Sequence, residues 1–487
     1  MTKQRIVTLT LLLTPPFLAL FLFGFTLNYY FFQDDWFNFN ISNINSSYEF
    51  FDFFKYRNDI IAYRPLEIQT QYFLIRKFFG LNAFSLRVVN FSLLFISYIL
   101  LIYLLRKILK NSRMALFSAA LWVTSSFQFM NLGMINYHLW GTMSWLINYL
   151  IILKYINTKK FIFYFLSFIV YVISLGIWEF AISLPIVVSA YLFLISKYQI
   201  KNIIKLLLPF YLLSAIYIIA RLIFVAHLTI TEYQTTFNFD SVKAFFWYIL
   251  WSFNIPEEFK KQTANNLIIF RVEFLKNFWK LVLVTFTGAT LLITLGIIYP
   301  LYKTLKSKNV VDIRLIIFFL FWFGVAIFPA LLLPNHNFMM YLTLPSIAIY
   351  SIISIYIFTS NLKYLWAIVL ILWVLISAIT VDFYSKGFSN RAQQVSKKFV
   401  YDMKSRLPNF PPNSLVYYKL SFHGDRHALL NQNAIQAIYE DKTINIAYDY
   451  DSFIELLIKK DKKRSVYIYE VARHGSPPVN LDCPTCF

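Results

Sequence analysis

The sequence predicts a polytopic α-helical membrane protein, and three observations carry that prediction. Of its 487 residues, 59% are hydrophobic and 20% aromatic, with a mean hydropathy of +0.57. A soluble domain cannot hide so much apolar surface. Apolar windows recur at 6–26, 86–105, 114–132, 136–153, 161–178, 180–197, 203–226, 278–300, 313–333, 338–358 and 364–382. At roughly 20 residues per crossing this makes about eleven spans. Basic residues also gather in alternate loops, the pattern that orients membrane helices.

The first window is longer than a signal-peptide apolar region and has no small-residue cleavage site, so it is expected to be retained. The chain leaves it as Asn28-Tyr29-Tyr30-Phe31-Phe32-Gln33-Asp34-Asp35-Trp36. Two adjacent carboxylates where membrane meets water are expensive unless solvated, paired or used. The loop that follows, to about residue 85, contains two stretches with apolar spacing suited to a helix face, 48–57 and 66–80. Both are expected to lie in the interface with the apolar face down.

Lys3 and Arg5 precede the first window. Arg106, Lys107, Lys110 and Arg113 form the next basic cluster, followed by Lys154, Lys159 and Lys160, then Lys197, Lys201 and Lys205. Lys303, Lys306, Lys308 and Arg314 continue the series, and Lys363 closes it. With alternating spans all fall on one side, while the opposite turns at 131–136 and 334–337 carry no Lys or Arg. The N-terminus is therefore expected in the cytoplasm, with the acidic pair and the chain after about 383 outside. The net charge of +21 fits topology and attraction to anionic lipid. Its dispersal over short loops argues against nucleic acid.

A second outer loop, 227–277, holds His227, Glu232, Asp240, Lys243, Glu257, Glu258, Lys260, Lys261, Arg271 and Glu273, with a helix expected near 241–254. The tail is more polar. Strands are expected at 414–418 and 465–469 and a helix at 429–439, as in a small α/β domain. Its last residues include Cys483 and Cys486 in a Cys-Pro-Thr-Cys. A lone pair without a second metal pair suggests a local disulfide or nothing, rather than redox chemistry.

The polar residues at the outer ends of the spans are Asp34 and Asp35, Tyr63-Arg64-Pro65-Leu66, Asn136-Tyr137-His138, Trp178-Glu179-Phe180, Arg221 and Pro334-Asn335-His336-Asn337. They come from different spans, and the expected topology puts them on one face. Each has a structural alternative. The Asp pair could bond Lys55 or Arg57, Arg64 and Arg221 could anchor to lipid, Glu179 could pair with a buried base, and His138 and His336 could bond within the helix bundle or cap a turn.

In order, these features are an acid just after the first span, Tyr-Arg-Pro-Leu in a long first loop, Glu179 followed by Pro185, and a late His336-Asn337-Phe338-Met339-Met340-Tyr341-Leu342-Thr343-Leu344-Pro345. The pattern over about residues 1–385 resembles the GT-C integral-membrane glycosyltransferases, such as protein O-mannosyltransferases and aminoarabinose transferases. Two departures stand out. Asp-Asp replaces the Asp-Glu of mannosyltransferases, and the late segment lacks the Arg often found before its Tyr.

The resemblance implies a transmembrane catalytic unit (1–385) with an external domain (386–487) in a prokaryotic plasma membrane. It also implies sugar transfer from a polyprenyl-phosphate donor to a lipid, glycan or protein acceptor on the outer face. Asp34 or Asp35 is then the base, with Arg64, His336, Arg221 and Arg271 for the donor phosphate, and Glu179, His138 and Asn136 on the acceptor side or behind the site. Adjacent carboxylates in low dielectric should raise one pKa. No cofactor is required, although Asp34, Asp35 and Glu179 offer the oxygen ligands a divalent metal takes. Competing readings are a flippase or exporter of lipid-linked saccharide, and an O-antigen ligase or polymerase. The flippase calls for charge along a midplane cavity.

Overall fold

The computed structural model describes residues 3–469, apart from 45, 56–62, 135, 226–232, 234, 264–268, 307–311, 361, 407, 410, 419, 421–422 and 459–465. Arg57, His227, Glu232, Cys483 and Cys486 lie outside the described residues.

Helix α1 (Lys3–Phe23) runs on through a 3-10 turn, Gly24–Asn28, and a short connection leads into α2 (Asp34–Ile41). The first long loop holds a 3-10 helix (Ser47–Phe54), a π-helical turn (Pro65–Thr70) and α3 (Gln71–Phe79). Next come α4 (Ala83–Leu109), α5 (Ser112–Val123), α6 (Gln128–Gly133), α7 (Tyr137–Thr158) and α8 (Phe161–Ile177). A 3-10 turn, Glu179–Ile182, leads to α9 (Ser183–Leu194) and α10 (Ile200–Val225). Beyond the second loop lie α11 (Phe239–Trp251), α12 (Glu258–Lys261), α13 (Val272–Ile293), α14 (Tyr299–Lys306) and α15 (Ile313–Leu331). A 3-10 turn (Met339–Thr343), α16 (Ser346–Thr359), α17 (Leu365–Ser385) and α18 (Phe388–Arg406) follow.

Side chains set several of these boundaries. Asn82 and Asn111 cap α4 and α5 by accepting from backbone N–H groups, and Asn238 and Ser241 form a reciprocal capping box at α11. Among the described residues, six helices are long and apolar enough to cross a membrane: Leu9–Asn28, Ala83–Leu109, Ile200–Ile223, Val272–Lys306, Ile313–Leu331 and Leu365–Ser385. The apolar helices at 112–123, 161–177, 179–194 and 346–359 are shorter. Outward faces are rich in exposed apolar side chains, such as Leu212, Ile216, Ile219 and Leu222 on α10. That much apolar surface suits lipid and not water. The chain is a helical membrane protein.

Two expected windows are broken. Window 114–132 splits at Thr124–Phe127, and window 338–358 opens with a 3-10 turn before α16. The polar residues inside them explain why. Asn131 donates to Thr343 Oγ1 (3.0 Å), and Trp122 Nε1 donates to Thr343 O (2.6 Å). Ser126 N–H donates to Asn254 Oδ1 (2.7 Å). Buried polar groups away from water need such partners, and making them bends the chain.

The segment 66–80 turns large apolar side chains outward, as the lipid-suited helices do, and polar ones inward. Glu67, Gln69 and Gln71 are buried, while Leu74, Phe78 and Phe79 are exposed. Its polar side faces the protein instead of water.

The tail forms a parallel sheet of β1 (Leu415–Tyr418), β2 (Asn445–Ala447) and β3 (Val466–Tyr469), in the order β2-β1-β3. The two expected strands are present, and β2 is added. The expected single helix at 429–439 is two, α19 (Arg426–Leu429) and α20 (Asn433–Tyr439). Leu430 and Asn431 separate them with positive φ. α21 (Tyr450–Ile458) follows β2. Leu429, Ile435 and Ile438 share a core with Phe31, Trp36, Phe39 and Tyr72. Asn40 Nδ2 donates to Asn433 and Gln436 (both 2.9 Å). The tail is thus packed onto α2.

Helix α7 passes Trp178 closely. A Cβ on Gly141 would meet the Trp178 ring at 2.3 Å, whereas Gly24 has open space around it. Gly141→Ala should therefore cost about 1–3 kcal/mol. The expected result is a lower melting temperature in detergent, with Gly24→Ala unchanged.

Candidate functional site

The site starts at the end of the first span. Tyr29 is extended, residues 30–32 form no helix or strand, and Gln33 has φ 49° and ψ −119°. Such a backbone on a non-glycine residue is unfavourable by about 1–3 kcal/mol. The Gln33 N–H donates to Ala428 O of the tail (2.8 Å), which holds it there. Helix α2 then opens with Asp34 and Asp35 in its first turn, where the helix dipole favours negative charge.

Successive helical residues point about 100° apart, and the two carboxylates part company. Asp35 is 2% exposed. Its Oδ2 accepts from Arg87 Nη2 (2.9 Å) and Phe32 N (3.3 Å), and its Oδ1 accepts from Tyr72 Oη (2.6 Å). Arg87 is fully buried and also donates to Tyr30 O (3.1 Å), Tyr29 O (3.4 Å) and Met134 O (3.4 Å). Burial pushes the Asp35 pKa up against the pull of these partners, and with its bonds filled it does structural work, which leaves Asp34 as the candidate base of the pair. The cation of Asp35 is Arg87, and Lys55 pairs with Asp52 instead.

Asp34 instead opens onto a cavity of about 750 Å3 and forms no ion pair among the described residues. Its carboxyl is exposed to the cavity yet ringed by protein. Burial, then the Asp35 charge, pushes its pKa up to about 6, and Arg64 pulls the other way. Arg64, Tyr137, Glu257, Glu258, Lys261, His336 and Tyr384 line the same cavity. Phe37, Ile68, Phe129, Met130, Phe338 and Met340 give it apolar walls.

Arg64, 8% exposed, forks onto Glu179 (Nε–Oε2 2.8 Å, Nη2–Oε1 2.7 Å) and stacks over Tyr137 at 3.8 Å. Arg221 Nη1 reaches the same carboxylate at 3.4 Å. Burial works to raise the Glu179 pKa, but Arg64 and Arg221 outweigh it and hold the carboxyl below its usual range. One anion shared by two guanidiniums leaves a positive charge beside the cavity. His336 packs against Tyr233 and Phe338. Burial, then the Arg64 charge, pushes its pKa down to about 4, so at neutral pH it is an uncharged hydrogen-bonding group.

The other expected residues lie elsewhere. Asn136 Nδ2 donates to Asn90 Oδ1 (2.6 Å). His138 is fully buried among the rings of Tyr137, Trp178 and Tyr341, with neither ring nitrogen hydrogen-bonded. Arg271 is exposed at the start of α13 and is not on the cavity wall. The cavity wall thus does not include this one of the phosphate-binding candidates. Asp34, Asp35 and Glu179 do not gather as metal ligands, since Asp35 and Glu179 bond arginines, and no metal-holding acidic, His or Cys group occurs among the described residues.

No protein-family model matches this chain, and no curated protein matches it. The site thus rests on its own geometry. That geometry adds residues that sequence reasoning passed over. Arg87 lay one residue inside an apolar window, and a lone ionisable group there is itself a signal. Glu257, Glu258 and Lys261 were visible only as loop charges. Glu67 is 3% exposed with an unpartnered Oε2, and burial pushes its pKa up to about 8 against the pull of Arg64.

Removing Arg87 strands a buried carboxylate. Arg87→Met should cost about 3–5 kcal/mol in detergent unfolding, and adding Asp35→Asn should recover part of it. Glu67 gives a pH signature. Its pKa rises from an ordinary 4.5 to about 8 on folding, so the folded state holds a proton that the unfolded state has lost between those values. Its contribution is complete below about pH 4.5 and drains as pH climbs to 8. In Glu67→Gln, melting temperature should fall less steeply from pH 5 to pH 8.

Proposed function

We propose that this protein is a GT-C-type glycosyltransferase that moves a sugar from a polyprenyl-phosphate carrier to an acceptor hydroxyl. The observation that carries the reading is Asp34, a carboxylate without an ion-pair partner among the described residues, in an apolar-walled cavity that Arg64 and Lys261 also line. In this reading the chain crosses the membrane about eleven times. Its N-terminus is cytoplasmic, and the cavity and tail face outward from a prokaryotic plasma membrane.

The chemistry is a single displacement. The acceptor oxygen bonds to the anomeric carbon as the bond from that carbon to the phosphate oxygen breaks. The bonding electrons leave with the phosphate. The acceptor proton passes to Asp34, whose raised pKa makes it a better base while it stays mostly ionised at neutral pH. Arg64 and Lys261 meet the charge growing on the phosphate, and His336 can donate to it without adding charge. Attack opposite the leaving group inverts the anomeric centre. The flippase reading draws less support, because these charges share one cavity with the ends of α2, α6 and α17 and do not follow a path along the helices.

Transfer should be measured from radiolabelled polyprenyl-phosphate sugars in membranes with matched protein levels. Asp34→Asn should lose roughly 10²–10⁴-fold in rate, the usual worth of a general base, while protein yield holds. Wild-type kcat/KM should climb as pH passes about 6 and Asp34 ionises. Full activity in Asp34→Asn would overturn the assignment.

A further inference from the structure

The cavity holds a second acidic group that the proposed transfer does not use. The loop after α11 is pinned at several points. Asn254 Oδ1 accepts from Ser126 N (2.7 Å), and Asn254 O accepts from Thr380 Oγ1 (2.6 Å). Glu257 N donates to Tyr384 Oη (2.6 Å), and Glu257 Oε2 accepts from Met339 N (2.7 Å). Glu257 is 4% exposed and does structural work, tying this loop to the turn that follows His336. The backbone that presents Glu258 is thereby fixed against the break after α5, against α17 and against that turn.

Glu258 is different. It lines the cavity, it forms no ion pair among the described residues, and its Oε2 has no hydrogen-bond partner. A desolvated carboxyl oxygen without an internal partner costs free energy, so an outside partner for Oε2 is the natural account of it, the rest of the carboxyl being met by its own backbone N–H and by Tyr384. Burial pushes the Glu258 pKa up to about 7, with its own backbone N–H, then the Lys261 charge and a Tyr384 hydrogen bond, pulling down. Near neutral pH it both donates and accepts. That is the complement of a sugar hydroxyl, which also does both, whereas a phosphate would be served by the cations of the same cavity.

We infer that Glu258 binds a hydroxyl of a polyol ligand in the same cavity as the Asp34 that takes the proton. This inference rests on the glycosyl-transfer reading and gives its substrate pocket a sugar-binding side. The hydroxyl belongs to the transferred sugar or to a glycan acceptor, and kinetics separate the two.

Initial rates would be measured for Glu258→Ala, Glu258→Gln and Asp34→Asn with radiolabelled polyprenyl-phosphate sugars. Glu258→Ala should raise one substrate's KM about tenfold, the worth of one good hydrogen bond, with kcat little changed. A raised donor KM assigns the hydroxyl to the transferred sugar, and a raised acceptor KM assigns it to the acceptor. Glu258→Gln keeps a donor and an acceptor and should restore most of the loss. Both KM values unchanged in Glu258→Ala, while Asp34→Asn is inactive, would overturn the inference and leave the transfer reading standing.

A second measurement does not depend on turnover. Dicyclohexylcarbodiimide labels protonated carboxyls in apolar surroundings, and labelled sites are mapped by mass spectrometry. In a glycan-free detergent, Glu258 should be labelled, and a panel of short alkyl hexosides and pentosides should slow that labelling where a plain alkyl alcohol does not. No labelling of Glu258, or no protection by any glycoside, would sink the inference even if wild type transfers no sugar.

Discussion

The buried ion pair of Asp35 and Arg87 is the constraint on which the site depends. Two charges removed from water are tolerable only when every remaining bond is filled. Here they are, by Tyr72 of α3, the Phe32 amide and the carbonyls of Tyr29, Tyr30 and Met134. The pair therefore joins the exit of the first span to α3, α4 and the turn before α7. It also divides the two aspartates. Asp35 turns inward to its cation, and helical geometry then aims Asp34 into the cavity.

Charge in the cavity is arranged on the same principle. Glu179 sits between Arg64 and Arg221, so the guanidiniums are held in place while a positive charge remains. Burial acts on the other groups in opposite senses. It drives His336 towards its neutral form and Glu257 and Glu258 towards theirs. A cavity built this way keeps few fixed charges at neutral pH besides Asp34 and the cations, with Glu258 close to its midpoint. That is a setting in which an anionic leaving group is stabilised and one carboxylate acts as base.

The tail is part of this arrangement. Its Ala428 carbonyl holds the strained Gln33, Leu430 reaches the cavity wall, and Ser396 accepts from Trp36 Nε1 (2.8 Å). Arg76 of α3 donates to Ala437 O (2.7 Å). The approach to Asp34 is thus braced from one side by the helical body and from the other by the α/β unit. Domain boundaries drawn on polarity alone miss this, because the contact is made by a few apolar side chains in an otherwise polar stretch.

Composition and periodicity by themselves determined that this chain is a helical membrane protein, that an acidic pair follows the first span, and that the tail is a small α/β unit. These are properties of averages and of near neighbours, and lipid enforces them residue by residue. The sequence also brought Asp34, Arg64, Glu179, Arg221 and His336 to attention, because ionisable groups at span ends are costly enough to stand out. Tertiary structure decided what each one does. Only the fold shows that Arg87 claims Asp35, that Glu179 is spent on two arginines, that Arg271 is not on the cavity wall and that Glu258 lines the cavity. The reason is physical: a side chain's charge state and freedom depend on which partners lie within about 3 Å, and those partners come from segments tens to hundreds of residues distant in the chain.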